Sequence, residues 1–226
     1  MNRAERRRPA VYEGDLAGLI DRARWLAGSG PRRILGLVGA PGSGKSTLAA
    51  SLIQALGAAA ALVPMDGFHL ANGELERLGR RDRKGAIDTF DGAGYVALMR
   101  RLRQADEPVV YAPIFRREIE EPIAGAIPVP REVPLVITEG NYLLVDEAPW
   151  GALAELIDQT WYIEPGEELR IARLIARHVA FGKDPGFARE WSLGTDQRNA
   201  ELIASTMHNA DLEVRVTELR LQKGEG

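Results

Sequence analysis

The sequence predicts an α/β fold, a three-layer α/β/α sandwich built around a mostly parallel sheet, on three observations. Short apolar runs alternate with segments of helical periodicity along most of the chain. The runs are continuous rather than alternating, as strands buried on both faces require. A glycine-rich turn over residues 39–46 joins one such run to the helix after it.

Taken in order, Leu16, Leu19, Ile20, Ala23 and Leu26 recur at helical spacing and predict a helix over 13–27, stopped by Gly28-Ser-Gly-Pro31. Residues 34–38 predict a buried strand, 45–56 a helix and 60–65 a second strand. The stretch 71–92 is polar, rich in Arg and Gly, and carries no period. A helix is predicted over 95–104 and a short strand over 109–111. Pro113, Pro122, Pro128 and Pro130 then predict an irregular excursion over 112–133. Strands follow at 135–138 and 159–163, a helix at 166–181, a further helical segment at 186–210 and a last strand at 213–217. No linker or repeat divides residues 1–226, so the expectation is a single domain. It has an N-terminal helical segment (1–30), a core (33–217) and a helical lid (about 169–190).

Composition narrows the function classes. The net charge of −3, with 45% hydrophobic and 27% charged residues, gives no reason to expect a nucleic-acid or membrane partner. The absence of cysteine excludes disulfides, thiolate zinc sites and cysteine nucleophiles, and fits a cytoplasmic chain. No apolar run reaches the roughly 18 residues of a membrane span. Arg3, Arg6, Arg7 and Arg8 lie near the start, but no apolar run follows them, so a solvated terminus is expected.

Gly39-Ala40-Pro41-Gly42-Ser43-Gly44-Lys45-Ser46 is a complete G-x-x-x-x-G-K-[ST] loop, followed by Thr47. The glycines let successive backbone N–H groups point at phosphate oxygens, and the next helix aims its positive end at the same anion. Lys45 is placed to reach the outer phosphates and Ser46 to ligate Mg2+. The loop sits between a predicted strand and a predicted helix, the setting of a P-loop NTPase, with ATP and Mg2+ as the expected cofactors.

A P-loop fixes the nucleotide and not the outcome. No N-K-x-D guanine reader is present, which argues against a GTPase switch. Strand 135–138 runs into Glu139-Gly140 rather than the Asp-Glu of a motor ATPase. The second strand runs into Met65-Asp66-Gly67-Phe68-His69, and carboxyl ends of parallel strands meet at the ligand crevice. Asp66 is therefore the expected base for a substrate hydroxyl, and with Glu139 it is a candidate to help hold the metal. Arg170, Arg173 and Arg177 share one helix face, as charge-neutralising groups of a lid would; Arg173 and Arg177 are the stronger candidates. His69, Phe68, Phe115 and Tyr142 are candidate acceptor contacts, with Arg116 and Arg117 beside Phe115. The run Arg80-Arg81-Asp82-Arg83-Lys84 reads as a solvated loop that could attract an anionic substrate. His178 and His208 read as structural, and the three histidines have no metal-ligand spacing. The expected function is an ATP-dependent kinase acting on a small alcohol. The alternative is a nucleotide-binding regulator or slow NTPase without an acceptor.

These motifs resemble the phosphoribulokinase, uridine kinase and pantothenate kinase group. The P-loop, D-G-F-H at 66–69 and E-G-N-Y at 139–142 carry the likeness. Residues 85–91, ending in Asp91, resemble the group's substrate segment, and 111–117 its P-x-[YF]-[DS] loop. Residues 169–183 resemble its lid helix, whose arginines close over ATP, and 196–203 a late segment of many members. The likeness runs over about 33–217 and is nearest to a bacterial branch known as nucleoside/nucleotide kinase-like proteins or fructose transport system kinases. It implies a substrate role for Asp91, an ATP contact for Lys183, a slight preference for a sugar acceptor, and admits a homodimer. Two departures stand out. Gly67-Phe68-His69 replaces the Ser-Phe-Tyr of uridine kinases, and Arg116 occupies the acidic position of the proline loop.

Overall fold

The computed structural model describes residues 8–180, 182, 184–186, 189–190, 195–216 and 218–219. The first half runs β1 (Ala10–Tyr12), α1 (Leu16–Ala27), β2 (Arg33–Val38), α2 (Lys45–Leu56), β3 (Ala60–Pro64), α3 (Asn72–Arg77) and α4 (Gly92–Gln104). The second half runs β4 (Val109–Arg116), β5 (Glu121–Pro130), β6 (Leu135–Gly140), α5 (Leu153–Leu156), β7 (Gln159–Ile163), α6 (Glu167–Ala180), α7 (Thr195–Ser205) and β8 (Leu212–Val214). Six strands form one sheet in the order β1-β8-β7-β2-β6-β3, every neighbouring pair parallel. β2, which leads into the P-loop, is therefore interior to the sheet.

The continuous apolar runs are explained by two cores, one on each face. Along β2, Leu35 and Leu37 pack with α1 and α2, while Ile34 and Val38 pack with α4 and α5 on the other side. Helix starts follow local caps. The Asp15 carboxylate accepts from Gly18 N at 3.0 Å and starts α1; Asp91 accepts from Gly94 N at 2.8 Å and starts α4.

The proline-rich excursion is instead an antiparallel hairpin of β4 and β5. Its prolines are tolerated because a two-stranded ribbon has two free edges, where a missing N–H removes no ladder bond. Pro113 falls in the register shift between Ala112 and Ile114. Buried Arg32 anchors the base of this hairpin, donating to the carbonyls of Leu102, Pro130 and Val133. The stretch 71–92 holds α3 and two 3-10 turns. The helical segment expected over 186–210 contains α7 and a 3-10 turn at Met207–Asn209. The last strand is shorter and one residue earlier than expected, and β1, which pairs with it, was not foreseen. Phe181, Lys183 and Thr217, included in those expectations, lie outside the described residues.

Candidate active site

Sheet register gathers the site. Leu37 pairs with Glu139, and Glu139 with Pro64, so the chain leaves β2, β6 and β3 at one level. That brings the P-loop, Glu139 and Asp66 together from three separate stretches of sequence.

The loop has the backbone its motif demands. Gly42 and Gly44 sit at φ 86° and 103°. A Cβ on Gly42 would lie 2.5 Å from the Arg170 carbonyl oxygen, so α6 packs directly on the loop. Lys45 is 8% exposed, and its ammonium donates to the Gly39 and Ala40 carbonyls at 2.8 and 3.2 Å. Burial lowers its pKa to about 8, against the opposing pull of Glu139 and Asp66. The Ser46 hydroxyl donates to Glu139 Oε1 at 2.8 Å. Burial, then the like charge of Asp66, raises the Glu139 pKa.

Asp66 lies in a 3-10 turn directly after β3, with Oδ2 3.4 Å from Arg117 Nη2 at the tip of the β4–β5 hairpin. His69 stacks between Phe90 and Phe115, with ring centroids 4.0 and 4.6 Å away. Its Nδ1 lies 2.8 Å from the Asp66 carbonyl oxygen, and burial lowers its pKa.

Two cavities meet at the P-loop. One, of about 430 Å3, is walled by Asp66, His69, Phe90 and Phe115, with Glu139 beside the loop. The other, of about 670 Å3, runs along Gly42, Gly44, Thr47 and Arg173. Lys45, Ser46, Arg117 and Arg177 line both. A phosphate chain along the loop would thus have its outer end facing the first cavity.

The residues fit a nucleotide with a divalent ion. Ser43 Oγ is buried in the loop without a hydrogen-bond partner among the described residues. Ser46 and Glu139 present hard oxygen donors side by side. Among the described residues no cluster of three or more His, Cys, Asp or Glu could cage a metal, so the donors here suit an ion that completes its shell with phosphate oxygens and water.

Several expected contacts lie elsewhere. Tyr142 is fully buried and donates to the Gly85 carbonyl at 2.6 Å, so it supports the segment beneath the cavity rather than its wall. Phe68 packs edge-on to Tyr95 in the core. Asp91 is spent on its helix cap. Arg116 points away because strand side chains alternate, which puts Phe115 on the cavity side. His178, expected to be structural, lines the first cavity, and so do Arg81, Lys84, Asn141 and Asn199. Asn141 and Asn199 stand within E-G-N-Y and the 196–203 segment, a signal that could have named them. Ala40 is buried and Pro41 lines the first cavity, its carbonyl accepting from Arg170 at 3.2 Å. His208 sits on an exposed turn.

A P-loop on an interior parallel strand, a carboxylate at the next strand end and a helix packed on the loop define a P-loop kinase, a phosphotransferase with an alcohol acceptor. The chain belongs to the phosphoribulokinase / uridine kinase family, whose model matches residues 34–220. It is an ATP-dependent kinase of small molecules. It is 35% identical over 216 residues to C227.14, a candidate uridine kinase of Schizosaccharomyces pombe (strain 972 / ATCC 24843), covering 91% of this chain and 92% of that one. A pantothenate kinase of Shouchella clausii (strain KSM-K16) is 29% identical over 208 residues, covering 84% of this chain and 65% of that one. Among solved structures, a candidate fructose transport system kinase from Silicibacter sp. TM1040 superposes with a TM-score of 0.80 at 39% identity, covering 88% of this chain and 98% of that one. No helix among the described residues is long and apolar enough to cross a membrane.

Proposed function

We propose that this chain transfers the γ-phosphate of magnesium-ATP to a hydroxyl of a sugar or related small polyol seated in the 430 Å3 cavity. The observation that carries the reading is the shared wall. Lys45, Ser46, Arg117 and Arg177 face both cavities, so a phosphoryl group can pass between them without leaving cationic contact.

Asp66 orients the acceptor hydroxyl and takes its proton as the new O–P bond forms and the bond from the γ-phosphorus to its bridging oxygen breaks. The bond electrons leave with ADP. Lys45, Arg173 and Arg177 stabilise charge on the transferring group, and the α6 lid keeps water out. Magnesium, held through Ser46 and Glu139, would neutralise charge on the phosphate oxygens. Arg117 Nη2, 3.4 Å from Asp66 Oδ2, helps to fix the direction in which that carboxylate faces.

Asp66→Asn should lower kcat by about 10²–10⁴-fold while ATP affinity stays within a few-fold. The check is acceptor-dependent ADP release beside a nucleotide titration. Normal turnover by the variant would remove the role given to Asp66. ATP binding without any acceptor-dependent ADP would favour a nucleotide-binding regulator instead. Fructose leads the first acceptors to try, because a structural relative carries that name.

A further inference from the structure

The tip of the β4–β5 hairpin, residues 117–120, is clasped from outside the hairpin. Glu120 closes the turn in the left-handed region at φ 53°, which residues with a side chain rarely adopt. Its carbonyl collects two donors from the 72–84 stretch, Asn72 Nδ2 at 3.1 Å and the Lys84 ammonium. The Asn72 backbone N–H donates to both oxygens of the Glu121 carboxylate, at 3.0 and 3.2 Å, and its Oδ1 accepts from Lys84 at 2.7 Å. Asn72 is thus the hub of the clasp. Lys84 also lies 5.0 Å over the Phe115 ring, whose other neighbour is His69 at 4.6 Å. A turn held in an unfavourable conformation by this many contacts fixes the side chain it carries. After Phe115 toward the cavity and Arg116 away from it, that side chain is Arg117, which faces the cavity again.

Arg117 lines the acceptor cavity and the phosphate groove alike, with Nη2 3.4 Å from Asp66 Oδ2. Burial is the chief influence on the pKa values of Lys45, His69 and Glu139, and the Arg117 charge acts on all three, pulling each downward. The transferring phosphoryl has to lie between the hydroxyl held by Asp66 and the rest of the nucleotide on the P-loop, the place these groups surround. We infer that Arg117 is a catalytic residue that donates to the transferring phosphoryl from the acceptor side, and that Asn72 is the positioning residue that holds it there. The inference rests on the kinase reading above. It adds a cation from the hairpin to Lys45 of the P-loop and Arg177 of α6. Charge in the transfer spreads over three equatorial oxygens, so cations arriving from separate elements can each meet it. A guanidinium suits the position, because its fork offers one edge to Asp66 and another to a phosphate oxygen.

The test compares two nucleotides that differ at the γ position. Calorimetry on the full chain with magnesium measures the affinity for ADP and for the non-hydrolysable ATP analogue AMP-PCP. Arg117→Ala should weaken AMP-PCP about tenfold to a hundredfold while ADP stays within about twofold, because only the γ-phosphate loses a charged donor. Arg117→Lys should recover part of the loss, since an ammonium keeps the charge without the fork. The same loss is expected when Arg117→Ala is made in an Asp66→Asn background, which separates a phosphate contact from an effect passed through the carboxylate. Asn72→Ala should weaken AMP-PCP in the same direction, and Arg117→Ala added to it should cost much less than it does alone. Arg117 is half-exposed, so its variant reads the site without emptying the core. Acceptor-dependent ADP release, with fructose first, should fall about a hundredfold in Arg117→Ala. Equal weakening of ADP and AMP-PCP, or unchanged affinity for both, overturns the role of Arg117, as does a loss that vanishes in the Asp66→Asn background. Losses from Asn72→Ala and Arg117→Ala that simply multiply overturn the positioning role of Asn72. A selective loss of AMP-PCP without acceptor-dependent ADP release from the parent leaves the Arg117 contact standing and removes the kinase reading. Turnover that needs Asp66 but ignores Arg117→Ala does the reverse.

Discussion

Lys45 shows what one buried charge costs a binding site. Its pKa falls from 10.5 to about 8, chiefly through burial. Between those values the unfolded chain holds a proton that the folded chain has released, so this group makes stability rise with pH across that window. Below pH 8 the full cost is present, on the order of 3 kcal/mol. Lys45→Met should therefore melt at a higher temperature than the parent at pH 7 without nucleotide, with the gap closing toward pH 10.5. Thermal melts across that range check it, and a gap independent of pH would show that the charge is not the cause. Activity should be lost in the same variant, because the ammonium is the group placed to meet the phosphates. Glu139 pays in the other direction. Its raised pKa makes the folded chain hold a proton that the unfolded chain releases, so its contribution falls as pH rises from the usual carboxylate range. Glu139→Gln should raise the magnesium concentration needed for half-maximal rate by about tenfold or more, read from initial rates.

Elements place these residues by close backbone approach. The turn carrying Asp66 meets the β4–β5 hairpin so closely that a Cβ on Gly67 would lie 2.5 Å from the Pro113 carbonyl oxygen. Because the obstacle is backbone, Gly67→Ala must separate the two elements, and a loss of about 1–3 kcal/mol is expected together with reduced kcat. Gly73, in α3, faces open space, so Gly73→Ala should be neutral or stabilise by up to about 1 kcal/mol. Chemical denaturation of the two variants side by side separates contact from glycine flexibility. Helix α6 has its own anchor. Arg170 is 2% exposed and donates to the Pro41 carbonyl, to Glu167 and to Gln197, tying α6 to the loop and to α7. It is a positioning residue. Arg170→Met should raise the KM for ATP by about tenfold, with a smaller change in kcat, and Arg170→Lys should recover only part of that, since a single ammonium cannot reproduce the fork.

Across the molecule, Asp158 joins the layers. Its carboxylate accepts from Arg33 at 2.7 Å and from Ile34 N at 2.8 Å on β2, and it pairs with Arg103 on α4. Burial alone would raise its pKa, but the bonds to Arg103, Ile34 N and Arg33 outweigh it and hold the group below the usual carboxylate value. A lowered pKa stabilises the fold above the unfolded value and loses that contribution as pH falls through the folded one. Asp158→Asn should cost about 1–3 kcal/mol at pH 7, and the difference from the parent should shrink on acidification below pH 4. Equal losses at pH 7 and pH 3 would mean that shape rather than charge matters there.

The sequence alone determined the P-loop, strands β2, β3, β6 and β7, and the helices α1, α2, α4 and α6. Burial on both faces forces an unbroken apolar run, a one-sided helix leaves its period in the chain, and a phosphate cradle needs its glycines within a few residues. Asp66 and Glu139 were legible for the same reason, each being the first carboxylate at the end of such a run. The tertiary structure alone decided what depends on pairing or direction. β1 has three residues, too few to show a period, and exists through pairing with β8, a strand the sequence predicted but whose bounds its pairing with β1 and β7 set. The β4–β5 hairpin forms in spite of its prolines because its edges are free. Strand alternation turned Phe115 toward the cavity and Arg116 away from it, and the core took Phe68 and Tyr142. Asp88 drew Arg80 and Arg83 aside and left Arg81 and Lys84 at the cavity. Ser46 and Glu139 stand 93 residues apart and meet only through sheet register. Local chemistry is written in neighbouring residues, but which way a side chain points is set by partners far along the chain.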